Sequence, residues 1–292
     1  NPSDQSNPTD LIEKLLKSPH YGERMAISWL DQVRFADTIG YHSDNPHNVW
    51  PYRDYVIKSF NTNKPFDRFT IEQIAGDLLP DATQETRVAS AFNRLLLTTE
   101  EGGAQAKDYE QRMLTDRVRA IGNAWMGQTT GCAQCHDHKF DPIAMRDFYS
   151  LGAFFADIKE PILGKREDGM LVTTSENEKK LAELDAKLAE AKKALAKLQP
   201  ELNKAQKEWE AAFVAHKGHQ EKAAKDVVAV LKVKNPNAKQ RKLVDDYFAK
   251  INPLHKAERD AVTKAEAVRK AFYDPLPKCI VSVSDANKRT VR

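Results

Sequence analysis

The sequence predicts an all-α protein built from an irregular helical domain and a long antiparallel coiled-coil hairpin. Three observations carry that class. Apolar residues between positions 8 and 160 recur at helical spacing in short runs. From Leu181 to Ala212 they step by three and four without a miss. No segment shows the alternation of apolar and polar residues that a half-buried strand requires.

The elements follow in chain order. Leu11, Ile12, Leu15 and Leu16 mark a helix over 10–17 that stops at Ser18-Pro19. Met25, Ile27, Trp29, Val33 and Ala36 give a second over 22–36. Pro51 suits the first turn of a helix ending near Phe60, where its missing N–H costs nothing. Thr70 is placed to cap a helix over 71–79 closed by Pro80, and longer helices follow over 83–97 and 109–126. A last amphipathic helix covers 144–156.

Composition then shifts to Lys, Glu and Ala over 175–272. The seam Leu181, Leu184, Leu188, Ala191, Leu195, Leu198, Leu202, Ala205, Trp209 and Ala212 spans about four heptads, with Pro200 expected to kink or restart the helix. A return seam runs through Val244, Tyr247, Ile251, Leu254, Ala261, Ala265, Val268 and Phe272, with Glu258 as a polar intruder. Residues 216–237 must reverse the chain, helped by Asn235-Pro236-Asn237, and should be its most mobile part. His216 and His219 there read as surface histidines rather than metal ligands. The expected division is therefore 1–164, 165–274 and 275–292, the last being the start of a further domain or a tail. The hairpin is expected to dock a partner and to carry no chemistry.

Bulk properties narrow the function. Lys plus Arg minus Asp plus Glu is 45 − 42 = +3 across 292 residues, so total charge points to no nucleic-acid partner. No apolar run is long enough to span a membrane. The polar start Asn1-Pro2-Ser3-Asp4 reads as a cleaved or excised terminus, and the chain as a piece of a longer protein.

The most informative residues are Cys132-Ala133-Gln134-Cys135-His136, the C-x-x-C-H spacing of a c-type haem attachment site. Two thiols at this interval can each form a thioether to one porphyrin vinyl group, and the following imidazole becomes the proximal iron ligand. Zinc would need two further ligands at finger-like spacing, yet the only other cysteine, Cys279, is far along the chain. A redox dithiol of the thioredoxin kind sits in a βαβ context, which is absent here. One covalent haem c, held by Cys132 and Cys135 and ligated by His136, is the leading expectation. It places the mature protein in the periplasm or otherwise outside the cytoplasmic membrane of a bacterium.

The sixth iron ligand separates an electron carrier from a haem enzyme. His42, His47, Met113, Met126 and Met145 are the candidates, with His42 favoured because it lies in a loop after Gly40-Tyr41. After the motif, Asp137, His138 and Asp141 read as a polar turn with capping aspartates, or as groups for a cation or a haem propionate. Glu100-Glu101-Gly102-Gly103 reads as a solvated turn or an acid–base loop, and Arg53-Asp54 and Asp116-Arg117 as structural ion pairs.

Several segments together resemble one family, the cytochrome-c-like domains of large exported proteins expanded in planctomycete bacteria. They are Tyr21-Gly22-Glu23-Arg24, Trp29-Leu30-Asp31, Arg34-Phe35-Ala36-Asp37, Trp50-Pro51-Tyr52-Arg53-Asp54-Tyr55, Lys64-Pro65-Phe66-Asp67, Gln73 to Pro80, and Gly131 to Pro142 with Arg146-Asp147-Phe148-Tyr149. The resemblance covers about residues 8–160. It implies a single-haem module exchanging electrons with a redox partner or with a C-terminal domain of the same parent protein. The alternatives are a haem-dependent, peroxidase-like oxidoreductase and a zinc-stabilised interaction scaffold.

Overall fold

The computed structural model describes residues 7–41, 44–215 and 222–285. Two compact units result, one of residues 1–172 with 277–292 and one of 173–276. Eleven α-helices and four two-residue strands lie among the described residues, so the all-α class holds.

In the first unit α1 (Pro8–Leu16) is capped by Asn7, whose side chain accepts from Thr9 N. Next come α2 (His20–Gln32), α3 (Trp50–Asn61), α4 (Phe66–Ala75), α5 (Gln84–Ala89), α6 (Ala106–Ile121) and α7 (Met145–Ala153). The core joins Tyr52, Tyr55 and Val56 of α3 to Phe69 of α4, with Trp29 and Trp125 packed against it. Trp29 donates from its indole to Gln73 Oε1 at 3.0 Å, so the polar edge of a largely apolar ring is satisfied inside.

Two helices in particular depart from the sequence expectation. The helix expected at 71–79 starts at Phe66, and Thr70 does not cap it; its hydroxyl donates to Phe66 O and accepts from Trp125 Nε1. The helix expected over 83–97 is α5, capped by Thr83, followed by a 3₁₀ turn Ser90–Arg94 and an extended segment. Every residue from Val88 to Leu96 is buried. A segment with no solvent face has no period to read, and its polar members find partners far away in sequence. Asn93, for instance, donates to Ile74 O and accepts from Arg117.

The strands pair as β1 (Thr38–Ile39) with β2 (Asn45–Pro46), and β3 (Met170–Leu171) with β4 (Lys278–Cys279), both antiparallel. They are too short for a period of two to register. The second pair corrects the expected boundaries: residues 277–285 are the closing segment of the first unit. Cys279, Ile280 and Val281 sit in its core, Ile280 N donates to Asn48 O at 2.7 Å, and Lys159 N donates to Val283 O at 2.8 Å. Gly169, at φ +93, lets the chain pass so close to Cys279 that a β-carbon would lie 2.4 Å from its carbonyl. Burial pushes the Cys279 thiol up to about 12, making it an inert packing group.

The second unit is an antiparallel hairpin. Its outgoing leg α8 (Ser175–Ala215) continues through Pro200. Pairs between the legs climb α8 while descending the return: Asp185 with Arg269, Lys192 with Glu266, Glu201 with His255, Gln206 with Asp245, and Glu210 with Arg241. The return is broken, however, into α9 (Lys222–Leu231), α10 (Ala238–Ile251) and α11 (Lys256–Tyr273). Pro253 cannot donate to a continuing helix, and His255 takes φ +49 before α11 starts. Glu258 then falls in the first turn of α11, where a carboxylate meets the positive helix end, which accounts for the polar intruder.

The reversal is more than a loop. Asn237 caps α10 reciprocally with Gln240. Val227, Val230 and Val244 form a small core under Trp209, Phe213 and Tyr247. His216 and His219 lie outside the described residues. No helix among the described residues is long and apolar enough to cross a membrane.

Candidate functional site

The C-x-x-C-H segment hangs between α6 and α7. Residues Thr130–Gln134 form a 3₁₀ turn ending at Cys135, whose N–H donates to Cys132 O at 3.3 Å. With three residues per 3₁₀ turn, positions i and i+3 fall in line, so Cys132 and Cys135 lie on the same side. Both are exposed and unpaired, whereas Ala133 between them is fully buried against Val118 of α6 and Phe148 of α7.

Several ties hold this turn. Thr130 donates to Val118 O, and the Tyr149 hydroxyl donates to Gln134 O at 3.0 Å. Gly131 leaves room for Arg119, whose Nε would stand 2.3 Å from a β-carbon there. Beyond the motif, Asp137 accepts from Met145 N at the start of α7, and Asp147 accepts from Ala144 N. His138 Nδ1 accepts from Asp141 N at 3.0 Å and lies 3.1 Å from the Asp141 carboxylate. Asp137 and Asp147 thus cap α7, and His138 and Asp141 close the turn after the motif.

His136 carries the decisive detail. Its Nδ1 lies 2.7 Å from Asp137 O. A carbonyl can only accept, so Nδ1 is the donor in this contact, and in the neutral ring the lone pair then falls on Nε2. A metal-binding histidine has this arrangement, with a backbone carbonyl orienting the ring and fixing its tautomer.

Two exposed thiols followed by an imidazole are the donor set that a covalently attached haem uses. Among the described residues no group of three or more His, Cys, Asp and Glu side chains converges as metal ligands. A tetrahedral zinc site requires such convergence. A c-type haem does not, since its thiols bond to the porphyrin rim and only the imidazole reaches the metal.

A cleft of about 320 Å³ runs along α6 beside the motif, lined by Tyr41, Met113, Arg112, Asp116, Arg119 and Gln134. Tyr41 packs edge-on against Tyr109 at 5.9 Å. His42, the next residue, lies outside the described residues. Of the other axial candidates, Met113 is buried in the wall of this cleft, while Met126 and Met145 are exposed. Phe140, four residues past His136, is 84% exposed, an unusual position for a large apolar ring.

His47 does not belong to this group. It lines a smaller cavity with Arg34 and Leu95, and burial together with Arg166 and Arg94 lowers its pKa to about 4. Asp116 pairs with Arg34 at 3.1 Å, and Arg117 pairs with Glu160 at 3.0 Å. Arg53 and Asp54 do pair, at 3.3 Å.

Sequence reasoning missed a buried charge cluster. Arg94 and Arg117 flank Glu160, at 3.5 and 3.0 Å, and Arg94 also holds Glu167 at 2.6 Å. Its members are spread from position 94 to 167, and no spacing rule links them.

A family model described as PSCyt2, a protein of unknown function (DUF1549), matches residues 1–160. The chain belongs to that family. The PSCyt2 match contains the C-x-x-C-H motif, α1 to α7 and the cleft beside α6. No curated protein and no solved structure matches the chain.

Proposed function

We propose that the PSCyt2 unit is a single-haem c-type cytochrome module of an exported, planctomycete-type bacterial protein. In this reading it passes electrons to or from a partner protein or a further domain of the same parent. The observation that carries the reading is the 2.7 Å contact of His136 Nδ1 with Asp137 O, which directs Nε2 to a ligand role directly after two exposed thiols. Haem c bound here would supply one-electron chemistry at its iron. Cys132 and Cys135 would anchor the porphyrin, and His136 would ligate the iron. Ala133, buried between α6 and α7, keeps the turn that presents these three side chains in place. Export follows from the chemistry, because thioether attachment takes place outside the bacterial cytoplasmic membrane.

A pyridine haemochrome spectrum and an intact mass of the native protein test this. A c-type α-band and a mass increased by one haem are expected. A bare polypeptide mass, from cells competent in haem attachment, refutes it. Replacing Cys132 and Cys135 by Ala should abolish the adduct, whereas His136→Ala should alter coordination in any protein still carrying haem.

The cleft beside Gln134, with Asp108, Arg112, Asp116 and Arg119 in its wall, favours a second reading as a haem-dependent oxidoreductase. It calls for a high-spin ferric spectrum that shifts on adding cyanide or peroxide. A low-spin spectrum unaffected by either eliminates it.

A further inference from the structure

A cavity of about 410 Å³ in the first unit is separate from the C-x-x-C-H turn and has no role in the haem reading. Its size suits a small organic molecule. Arg166 lines it and is more than nine-tenths buried. The guanidinium reaches Pro161 O at 2.5 Å through Nη1 and Leu96 O at 3.5 Å through Nη2, the latter at the edge of hydrogen bonding. Its Nε has no partner, and among the described residues no carboxylate pairs with it. A buried guanidinium is normally paired, because removing its charge from water is otherwise unrecovered.

Burial leaves the pKa of the Arg166 guanidinium lowered to about 10, with Arg94 and Arg117 opposing its charge while Glu160 and Glu167 attract it. Arg94 and Arg117 stand nearby, and the carboxylates of Glu160 and Glu167 are already engaged with them. Three guanidiniums thus face two carboxylates. His47 registers the same positive field, held neutral by burial and by Arg166 and Arg94, with an unpartnered Nε2.

The rim adds two kinds of group. Lys165, exposed, contributes another positive charge. Glu100, also exposed, contributes an acceptor. Glu167 and Asp168 also line the wall, where Arg94 at 2.6 Å offsets the first and Lys278 at 3.5 Å the second. A ligand that satisfies this lining carries one carboxylate for Arg166 and Lys165 and hydroxyl groups for Glu100.

We propose that this cavity is a binding site for a small hydroxycarboxylate, anchored by Arg166 and Lys165 with Glu100 accepting from a ligand hydroxyl. The site is independent of the haem assignment and is tested on the full chain as isolated. Isothermal titration with gluconate should give saturable binding, while glucose, which lacks the carboxylate, should bind far more weakly. Arg166→Gln should weaken gluconate by roughly tenfold to a hundredfold, the range for losing a charged hydrogen-bonding partner. Lys165→Gln and Glu100→Gln alter exposed side chains and leave the fold intact, so they remain informative if Arg166→Gln does not fold. Each should weaken gluconate measurably. Equal binding of gluconate and glucose, no heat at millimolar gluconate, or unchanged affinity in both rim variants overturns the proposal. Sulfate binding as tightly as gluconate would also overturn it, by showing an oxyanion site that does not read hydroxyl groups.

Discussion

Glu160→Gln removes a fully buried carboxylate that serves two buried guanidiniums. Its side chain is completely inaccessible and accepts from Arg117 Nη2 at 3.1 and 3.0 Å, with Arg94 Nε 3.5 Å away. Glutamine keeps the volume and one acceptor oxygen but not the charge. Breaking a buried ion pair from one side costs about 3–5 kcal/mol, because the remaining charge stays desolvated. The retained oxygen puts this variant near the low end, about 3 kcal/mol. Against a typical domain stability of about 5–15 kcal/mol, that is a large loss. For a unit of this size it corresponds to a fall in Tm of roughly 6–12 °C. Urea and thermal melts followed by tryptophan fluorescence provide the assay. In a Trp209→Phe background only Trp29, Trp50 and Trp125 report, and all three lie in the first unit. A loss below about 1 kcal/mol would refute the reasoning, since it would mean that the guanidiniums find water or other acceptors without rearrangement.

Three further outcomes are expected. His47, with its pKa lowered from 6.5 to about 4, favours the folded state only while neutral, so its contribution is complete above pH 6.5 and lost as pH falls toward 4. The loss amounts to about 3 kcal/mol; His47→Gln should flatten that part of the stability profile, and parallel profiles for the two proteins would contradict it. Gly76→Ala would place a β-carbon 2.1 Å from Thr86 O, a backbone atom, and should destabilise the first unit by about 2 kcal/mol or more; an unchanged urea midpoint would show that the α4–α5 junction yields. Finally, Val172 N donates to Pro277 O at 2.8 Å, so a short Gly-rich linker can replace 173–276. The deletant should keep the haem spectrum of the full chain, and loss of haem from a folded deletant would assign the hairpin a part in the cofactor site.

The sequence alone determined whatever is encoded locally. The hairpin was legible because a coiled-coil seam repeats every few residues, and the C-x-x-C-H turn because its two thiols and imidazole stand at one short, fixed interval. Thr83 was readable as a helix start for the same reason, its capping partner Thr86 being three residues away. Tertiary structure decided the rest. Whether the imidazole of His136 keeps Nε2 free depends on where the Asp137 carbonyl points, which is a matter of backbone geometry. The segment from Val88 to Leu96 lost its helical continuation because it is buried on every side, and residues 277–285 joined the first unit by pairing with chain more than a hundred residues earlier. His47 meets Arg166 across 119 residues (166 − 47), and Arg94 meets Glu160 across 66 (160 − 94). Their meeting depends on long-range packing and desolvation, which act on neighbours in space, and no spacing along the chain records which residues those neighbours are.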